Sequence, residues 1–478
     1  MAFHSFAFAV FLPIVFLLYW ALPHRFRWIL MLSASYYFYM SWNAKYVFLI
    51  LFTTVVSYGA ARLLENERSR RKKKWILAGA AFLCLGVLFF FKYFNFVSES
   101  VTHFLSLFTI RTRPLVLNLL LPVGISFYTF QTFSYVVDVY RGDMSAEHHF
   151  GYYALFVSFF PQLVAGPIER ADNLLPQIRA ARDFNYDQAS YGAKQMLWGF
   201  FKKLVIADGL SVYVSQVFDN PAPYEGFSII LASVFFSIQI YCDFSGYSDI
   251  AIGTAKLFGM ELTANFKSPF FSQSIGELWG RWHISLSTWF RDYVYIPLGG
   301  SRVGRVRHAV NLIVTFLVSG LWHGANWTYV VWGGIHGVGQ VVENIFVPKN
   351  RRKSRGIIRV IRIGAVFAFF TFACIFFASH SLGDAWHAVS RMFNGISSPI
   401  VYLHDGFSRI GLDKLGLLKS MIPVCILLIY DYFSLRVDCI QWLNERKAFA
   451  RHFVITAMIL MILCCGYAGQ STFVYFQF

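Results

Sequence analysis

Apolar residues in this chain gather in long runs, and polar residues cluster in short stretches between them. A helix needs about 20 apolar residues to cross the hydrocarbon of a bilayer. Runs near that length recur at 5–22, 26–42, 45–63, 75–97, 114–138, 190–217, 224–253, 308–323, 327–346, 357–380, 415–434 and 449–471. The pattern predicts an all-α polytopic membrane protein with about 11–12 transmembrane helices. Residues 5–22 have no basic stretch before them and are followed at once by further spans, so they read as a first transmembrane helix, not a cleaved signal peptide.

Two stretches break the pattern. Residues 151–168 are apolar, but they contain Pro161 and end in A-G-P-I-E-R. That composition predicts a re-entrant or broken element, tolerated only where protein or a watery cavity shields its backbone. Residues 265–302 carry too many charges to span. Within them Trp282, Leu286 and Trp289 recur at i, i+4 and i+7, which predicts an amphipathic helix at the cytoplasmic interface. P-L-G-G at 297–300 then predicts a tight turn. With no internal repeat and no long linker, residues 1–478 read as a single membrane-embedded domain: N-terminal helices over 1–140, a core over 141–346 with the re-entrant and interfacial segments, and C-terminal helices over 347–478.

Composition agrees. Only 14% of residues are charged, against about 25% in soluble domains. The net charge of +17 invites a nucleic-acid reading, but the bases lie in short runs between apolar segments, as the positive-inside rule requires. Arg25 and Arg27, then Arg68 and 70–74, mark cytoplasmic loops, which leaves the N-terminus extracytoplasmic. The basic stretches at 302–307, 349–362 and 436–451 return to the cytoplasm on the same count. The 349–362 stretch reads first as a stop-transfer cluster and second as a site for anionic membrane lipids or a cytoplasmic anionic ligand. Seven cysteines, an odd number without CxxC spacing, read as buried small hydrophobes and give neither a disulfide frame nor a metal site.

Charges and histidines near membrane segments are costly, so each is a functional suspect. Asp243, Ser245, Ser248 and Asp249 bring acids and hydroxyls into Y-C-D-F-S-G-Y-S-D-I-A-I-G at 241–253, either for substrate or for a polar helix–helix contact. In the interfacial segment His283 and Ser287 lie one turn apart, with Arg281, Arg291 and Asp292 nearby. In L-W-H-G-A-N-W-T-Y-V-V-W-G-G-I-H-G at 321–337, a helix runs into His323, turns through Gly324–Asn326, and re-enters a helix bearing His336. The spacing of those two histidines is not that of a zinc pair. A buried neutral imidazole can accept a hydroxyl proton and return it near neutral pH, which acyl transfer to an alcohol needs. On the residues alone, His323 reads equally as such a base or as a satisfied core histidine. No G-x-S-x-G elbow, Walker A loop or G-x-G-x-x-G is present.

At these motifs the sequence resembles the membrane-bound O-acyltransferase (MBOAT) family, in its bacterial alginate O-acetyltransferase-like branch. The resemblance runs through A-S-Y-Y-F-Y at 34–39, L-P-V-G-I-S-F-Y-T-F-Q at 121–131, V-A-G-P-I-E-R at 164–170, the 241–253 motif, R-W-H-I-S-L-S-T-W-F-R-D-Y-V-Y-I-P-L-G-G-S-R at 281–302 and L-W-H-G-A-N-W at 321–327. It implies a helical bundle around a central funnel or tunnel, with the family's principal catalytic histidine at His323. A second polar position, Asn in many eukaryotic members and His in this branch, falls on His283. His336 and Asn326 are further candidates, with Arg281, Ser287, Asp292, Asp249 and Asp243 as supports. The resemblance further implies acetyl-CoA or another thioester as cytoplasmic acyl donor, no bound cofactor or metal, and a bacterial inner-membrane location. The acceptor would be an envelope polysaccharide such as alginate, peptidoglycan or another exopolysaccharide. The chain has no sizeable soluble module, so the partner implied is a separate extracytoplasmic SGNH-type acetyltransferase, with no nucleic acid involved.

Three alternatives stand beside this reading. They are D-alanyl transfer from a carrier-protein thioester to teichoic acid, a transporter or channel whose intramembrane Asp and His residues form an ion path, and a non-catalytic scaffold for an envelope acetyltransferase.

Overall fold

The computed structural model describes residues 1–164, 166–347 and 354–467, and all regular structure among them is helical. Lys349, Arg351, Arg352 and Lys353 of the basic stretch, and the end of the last predicted span, lie outside these residues. The chain packs as two units, Met1–Ala193 with Ile250–Thr263, and Lys194–Asp249 with Ala264–Phe478. Among the described residues six helices are long and apolar enough to cross a membrane: Ala44–Asn66, Arg70–Ser106, Phe227–Leu257, Gly356–Ala378, Lys414–Ser434 and Ala448–Cys465. The other predicted runs are helical too, but shorter, interrupted or more polar. Phe6–Ala21 has 16 residues, and 190–217 becomes Tyr186–Phe200, a π-helical segment Phe201–Ala207, and Asp208–Phe218.

In the first unit, the run expected to span over 114–138 is helical only from Ile125 to Arg141. Residues 110–122 are irregular instead. Pro114 and Pro122 account for this: each lacks an N–H and biases the residue before it away from helix. The backbone of the irregular stretch is held by side chains. Asn95 exchanges hydrogen bonds of 2.8 and 3.0 Å with Leu117, Ser98 Oγ accepts from Leu115 N at 2.8 Å, and Tyr46 donates to Leu120 O at 2.7 Å. Gly124, at φ 77°, then turns the chain into the helix, passing so close to Leu163 that a Cβ would lie 2.6 Å from its carbonyl oxygen.

The stretch with Pro161 is broken, as its composition predicts. Helix Phe150–Ser158 stops, Phe159 leaves helical geometry at ψ 107°, and the short helix Phe160–Leu163 restarts with the proline in its first turn. The freed backbone groups find partners. Phe156 O accepts from both Gln131 Nε2 at 2.8 Å and Gln162 Nε2 at 2.9 Å, and Phe160 N donates to Ser35 Oγ at 3.1 Å. Glu169 of the A-G-P-I-E-R motif is buried, where it accepts from Asn173 Nδ2 at 2.7 Å and from Thr263 N and Oγ1.

In the second unit, helices Arg305–His323 and Trp327–Phe346 form a tight hairpin. Glycines allow it: a Cβ on Gly320 would sit 2.2 Å from Tyr329 O, and one on Gly333 would sit 2.2 Å from Phe316 O. Such close backbone approach is how small residues bring membrane helices together.

Candidate active site

His283 stands at a joint. Helix Ile275–Arg281 begins at Ser274, whose Oγ accepts from Glu277 N at 3.0 Å. Glu343, from the hairpin, also accepts from Ile275 N at 3.1 Å and Gly276 N at 3.0 Å. The continuous amphipathic helix expected through 282–289 is not formed. Trp282 is extended, His283 is left-handed at φ 43°, and a new helix runs Ile284–Phe290. Trp282, Leu286 and Trp289 are all buried even so. A left-handed residue with a side chain costs about 1–2 kcal/mol, which the flanking backbone offsets. Lys267 N donates to Arg281 O at 2.9 Å, and Ile284 N donates to Asn265 O at 2.9 Å, so residues 265–267 bracket the joint.

His323 ends its helix because Gly324 is extended and Asn326 starts the next one. Asn326 Oδ1 accepts from Thr328 N at 3.0 Å and its Nδ2 donates to His380 O at 2.9 Å, so its side chain holds the turn.

The fold brings these two histidines together. Their ring centroids are 6.4 Å apart and both side chains are buried. With hydrogen bonds near ~2.8 Å, two rings at this spacing can both contact one oxygen atom between them. Aromatic rings wall the pair. Phe244 meets His283 edge-on at 4.5 Å, while Trp322, Trp332 and Phe377 lie 5.0, 4.9 and 5.5 Å from His323. Burial holds the His283 imidazole well below its ordinary value near 6.5, so it is neutral at neutral pH.

His336 is close but separate. The Trp332 ring lies 4.9 Å from it and also 4.9 Å from His323, and Trp279 and Phe369 box it further at 5.0 and 5.3 Å. Neither of its ring nitrogens has a hydrogen-bond partner among the described residues. Arg281 pairs with Glu277 at 2.7 Å, Arg291 pairs with Asp292 at 2.8 Å, and Ser287 Oγ donates to Trp282 O at 3.2 Å. Each of these three contacts stays within its own segment.

Asp243 and Asp249 belong to a buried ion-pair network with residues the sequence reading passed over. Lys203 Nζ meets Asp243 at 2.7 Å and Asp208 at 2.8 Å, and Lys202 Nζ meets Asp249 at 2.5 Å and Ser245 Oγ at 2.8 Å. Gln195 Nε2 donates to Asp249 at 3.1 Å, and Tyr241 donates to a buried Asp431 at 2.7 Å. A Cβ on Gly246 would lie 2.8 Å from Gly199 O, so the two helices touch there. Asp243 and Asp249 therefore make polar contacts between helices. F-F-K-K-L inside the apolar run 190–217 was the signal: lysines at that depth need partners.

A cavity of about 390 Å³ is lined by residues near the histidines in sequence, among them Ile284, Ser287, Arg291, Thr315, Ser319 and Trp279, but by neither His283 nor His323. Ser287 is one turn after His283 and Ser319 one turn before His323. Among the described residues no three His, Cys, Asp or Glu side chains converge as metal ligands.

The chain is thus a multi-pass helical protein in which two buried histidine rings lie 6.4 Å apart at a tilt of 55°. The model of the MBOAT, membrane-bound O-acyltransferase family matches residues 143–379, a stretch that contains both histidines. The chain belongs to this family and is a multi-pass membrane acyltransferase. It is 40% identical over 392 residues to the probable alginate O-acetylase AlgI of Pseudomonas syringae pv. tomato, covering 81% of this chain and 73% of that one. It is 31% identical to the peptidoglycan O-acetyltransferase of Helicobacter pylori, over 98% of this chain and 95% of that one. At 27% identity it is also similar to the teichoic acid D-alanyltransferase of Streptococcus thermophilus, over 66% of this chain and 76% of that one.

Proposed function

We propose that the protein moves an acetyl group from cytoplasmic acetyl-CoA to a hydroxyl destined for a cell-envelope polysaccharide. The observation that carries this reading is the approach of His283 and His323, 40 positions apart in sequence, within an aromatic enclosure. His323 is the base. It takes the proton of the acceptor hydroxyl as that oxygen attacks the thioester carbonyl, and it gives the proton to the departing thiolate when the C–S bond breaks. An ester and free CoA thiol result. His283, neutral and immobile, donates to the carbonyl oxygen as negative charge develops there. The cavity beside Ser287 and Ser319 is the route by which the thioester reaches the pair. His336 supports the enclosure, and Asp243 and Asp249 hold it in register.

The acceptor class follows the alginate and peptidoglycan relatives, and transfer beyond the membrane then needs a separate extracytoplasmic acetyltransferase of the SGNH type. The enzyme resides in the bacterial inner membrane. Membranes containing the protein, given labelled acetyl-CoA, are expected to release CoA and label a polysaccharide or acceptor protein. His323→Ala at equal abundance is expected to lose at least about 100-fold in rate. Unchanged transfer by that variant would remove the assignment. Labelling from carrier-bound D-alanine in place of acetyl-CoA would move the enzyme to the D-alanylating branch.

A further inference from the structure

We propose that Asn265 is a positioning residue for the transfer, fixing His283 in the left-handed conformation that presents its imidazole to His323. The proposal rests on the reading of His283 as a group of the reaction site.

Asn265 opens the N-F-K-S-P-F motif and is buried. It uses two polar atoms on the joint and a third on helix Phe227–Leu257. Its backbone oxygen accepts from Ile284 N at 2.9 Å, and its Oδ1 accepts from Ser285 N at 3.3 Å and Ser285 Oγ at 2.9 Å. Its Nδ2 donates to Ser248 Oγ at 3.2 Å. Ile284 and Ser285 are the first two residues of helix Ile284–Phe290. The first N–H groups of a helix have no partner inside it, and the residue at the cap ordinarily supplies one from its own side chain.

His283 occupies the cap position and makes no such bond. Asn265 does that work from another segment, which releases the imidazole from capping. The second tether, Lys267 N to Arg281 O, fixes the chain on the other side of Trp282 and His283. The conformation of His283 is therefore set by what its neighbours are bonded to. Ser248 adds a register: it lies one turn beyond Phe244, whose ring edge packs against the His283 ring. One helix thus touches the His283 ring directly through Phe244 and tethers the backbone beside it through Asn265.

Asn265→Leu, of similar size, removes the side-chain bonds, while Asn265→Asp keeps the accepting oxygen. At equal abundance N265L is expected to lower kcat by roughly 10–100-fold with little change in KM for acetyl-CoA, because a displaced catalytic group loses rate and not binding. N265D is expected to recover most of the loss. The decisive measurement is the double variant. N265L added to His283→Ala should cost nothing further, since the histidine it positions is gone, whereas a residue that only stabilises the fold would cost the same in both backgrounds. Wild-type kcat in N265L, or full additivity in the double variant, overturns the proposal. Wild-type transfer by H283A would instead overturn the reading of His283, and the proposal with it. If N265L does not accumulate, Ser285→Ala carries the same test. It removes the Oγ bond to Asn265 with little change in bulk, and its smaller kcat loss must likewise vanish in the H283A background.

Discussion

The joint at His283 is a place where conformation and protonation meet. An imidazole pushed below its ordinary value by burial makes folding sensitive to acid. Below about pH 6.5 the unfolded chain binds a proton at this position that the folded chain refuses, so stability falls as pH drops. The unfolding temperature of the detergent-purified protein is expected to decline from about pH 7 to pH 5, and His283→Asn to flatten that decline. Equal slopes for both proteins would place the titrating group elsewhere. What the sequence offered at this scale was the identity of the two histidines and not their relation. His283 and Ser287 read as one turn of a continuous helix, because the apolar stripe through Trp282, Leu286 and Trp289 is intact. Nothing in that stripe announces a left-handed residue inside it, since the cause, residues 265–267, lies some 16–18 positions upstream.

At the scale of elements, the hairpin of Arg305–His323 and Trp327–Phe346 delivers His323 to the site by close backbone contact. Gly320→Ala would force a methyl group against Tyr329 O. Overpacking of this kind costs about 1–3 kcal/mol, and here it falls one turn before His323. The variant is expected to unfold at lower temperature in a fluorescence-detected melt and to lose activity beyond what its remaining folded fraction explains; a melt indistinguishable from wild type would show that the helices can part without cost. Elements were largely legible where hydrophobicity and proline agreed: the long apolar runs became helices, and the break at Pro161 appears two positions earlier, at Phe159. Over 114–138 the two signals conflicted. Hydropathy argued for a span and the prolines against one; the prolines prevailed because Asn95, Ser98 and Tyr46 satisfy the extended backbone. Lys202 and Lys203 were passed over for a related reason. Asp208 lies only five residues from Lys203, but Asp243 and Asp249 lie 40 and 47 residues from their lysines, and an apolar run conceals charges that neutralise each other only after folding.

For the whole molecule, the charge pattern makes an orientation claim. The basic residues 70–74 start the long helix Arg70–Ser106, and they belong in the cytoplasm if the positive-inside rule governs. Single cysteines introduced at Arg71 and before Phe6, in a background lacking native thiols, are expected to react oppositely with an impermeant maleimide in intact cells. The N-terminal one should be labelled and the other protected. The reverse pattern would invert the topology. The family and the acyltransferase class could be reached from ordered motifs alone, whereas the division of the chain into two packing units could not, because Ile250–Thr263 joins the N-terminal unit across a long sequence gap.

The positive φ of His283 also restricts which residues could ever replace it. Beyond glycine, the side chains that tolerate this region of backbone space are chiefly asparagine, aspartate and histidine. Glycine brings no functional group, and a buried aspartate would bring an unwelcome negative charge. Only two members of that short repertoire are neutral and able to offer a proton to a nascent oxyanion, histidine and asparagine. These are the two that the family resemblance puts at this position.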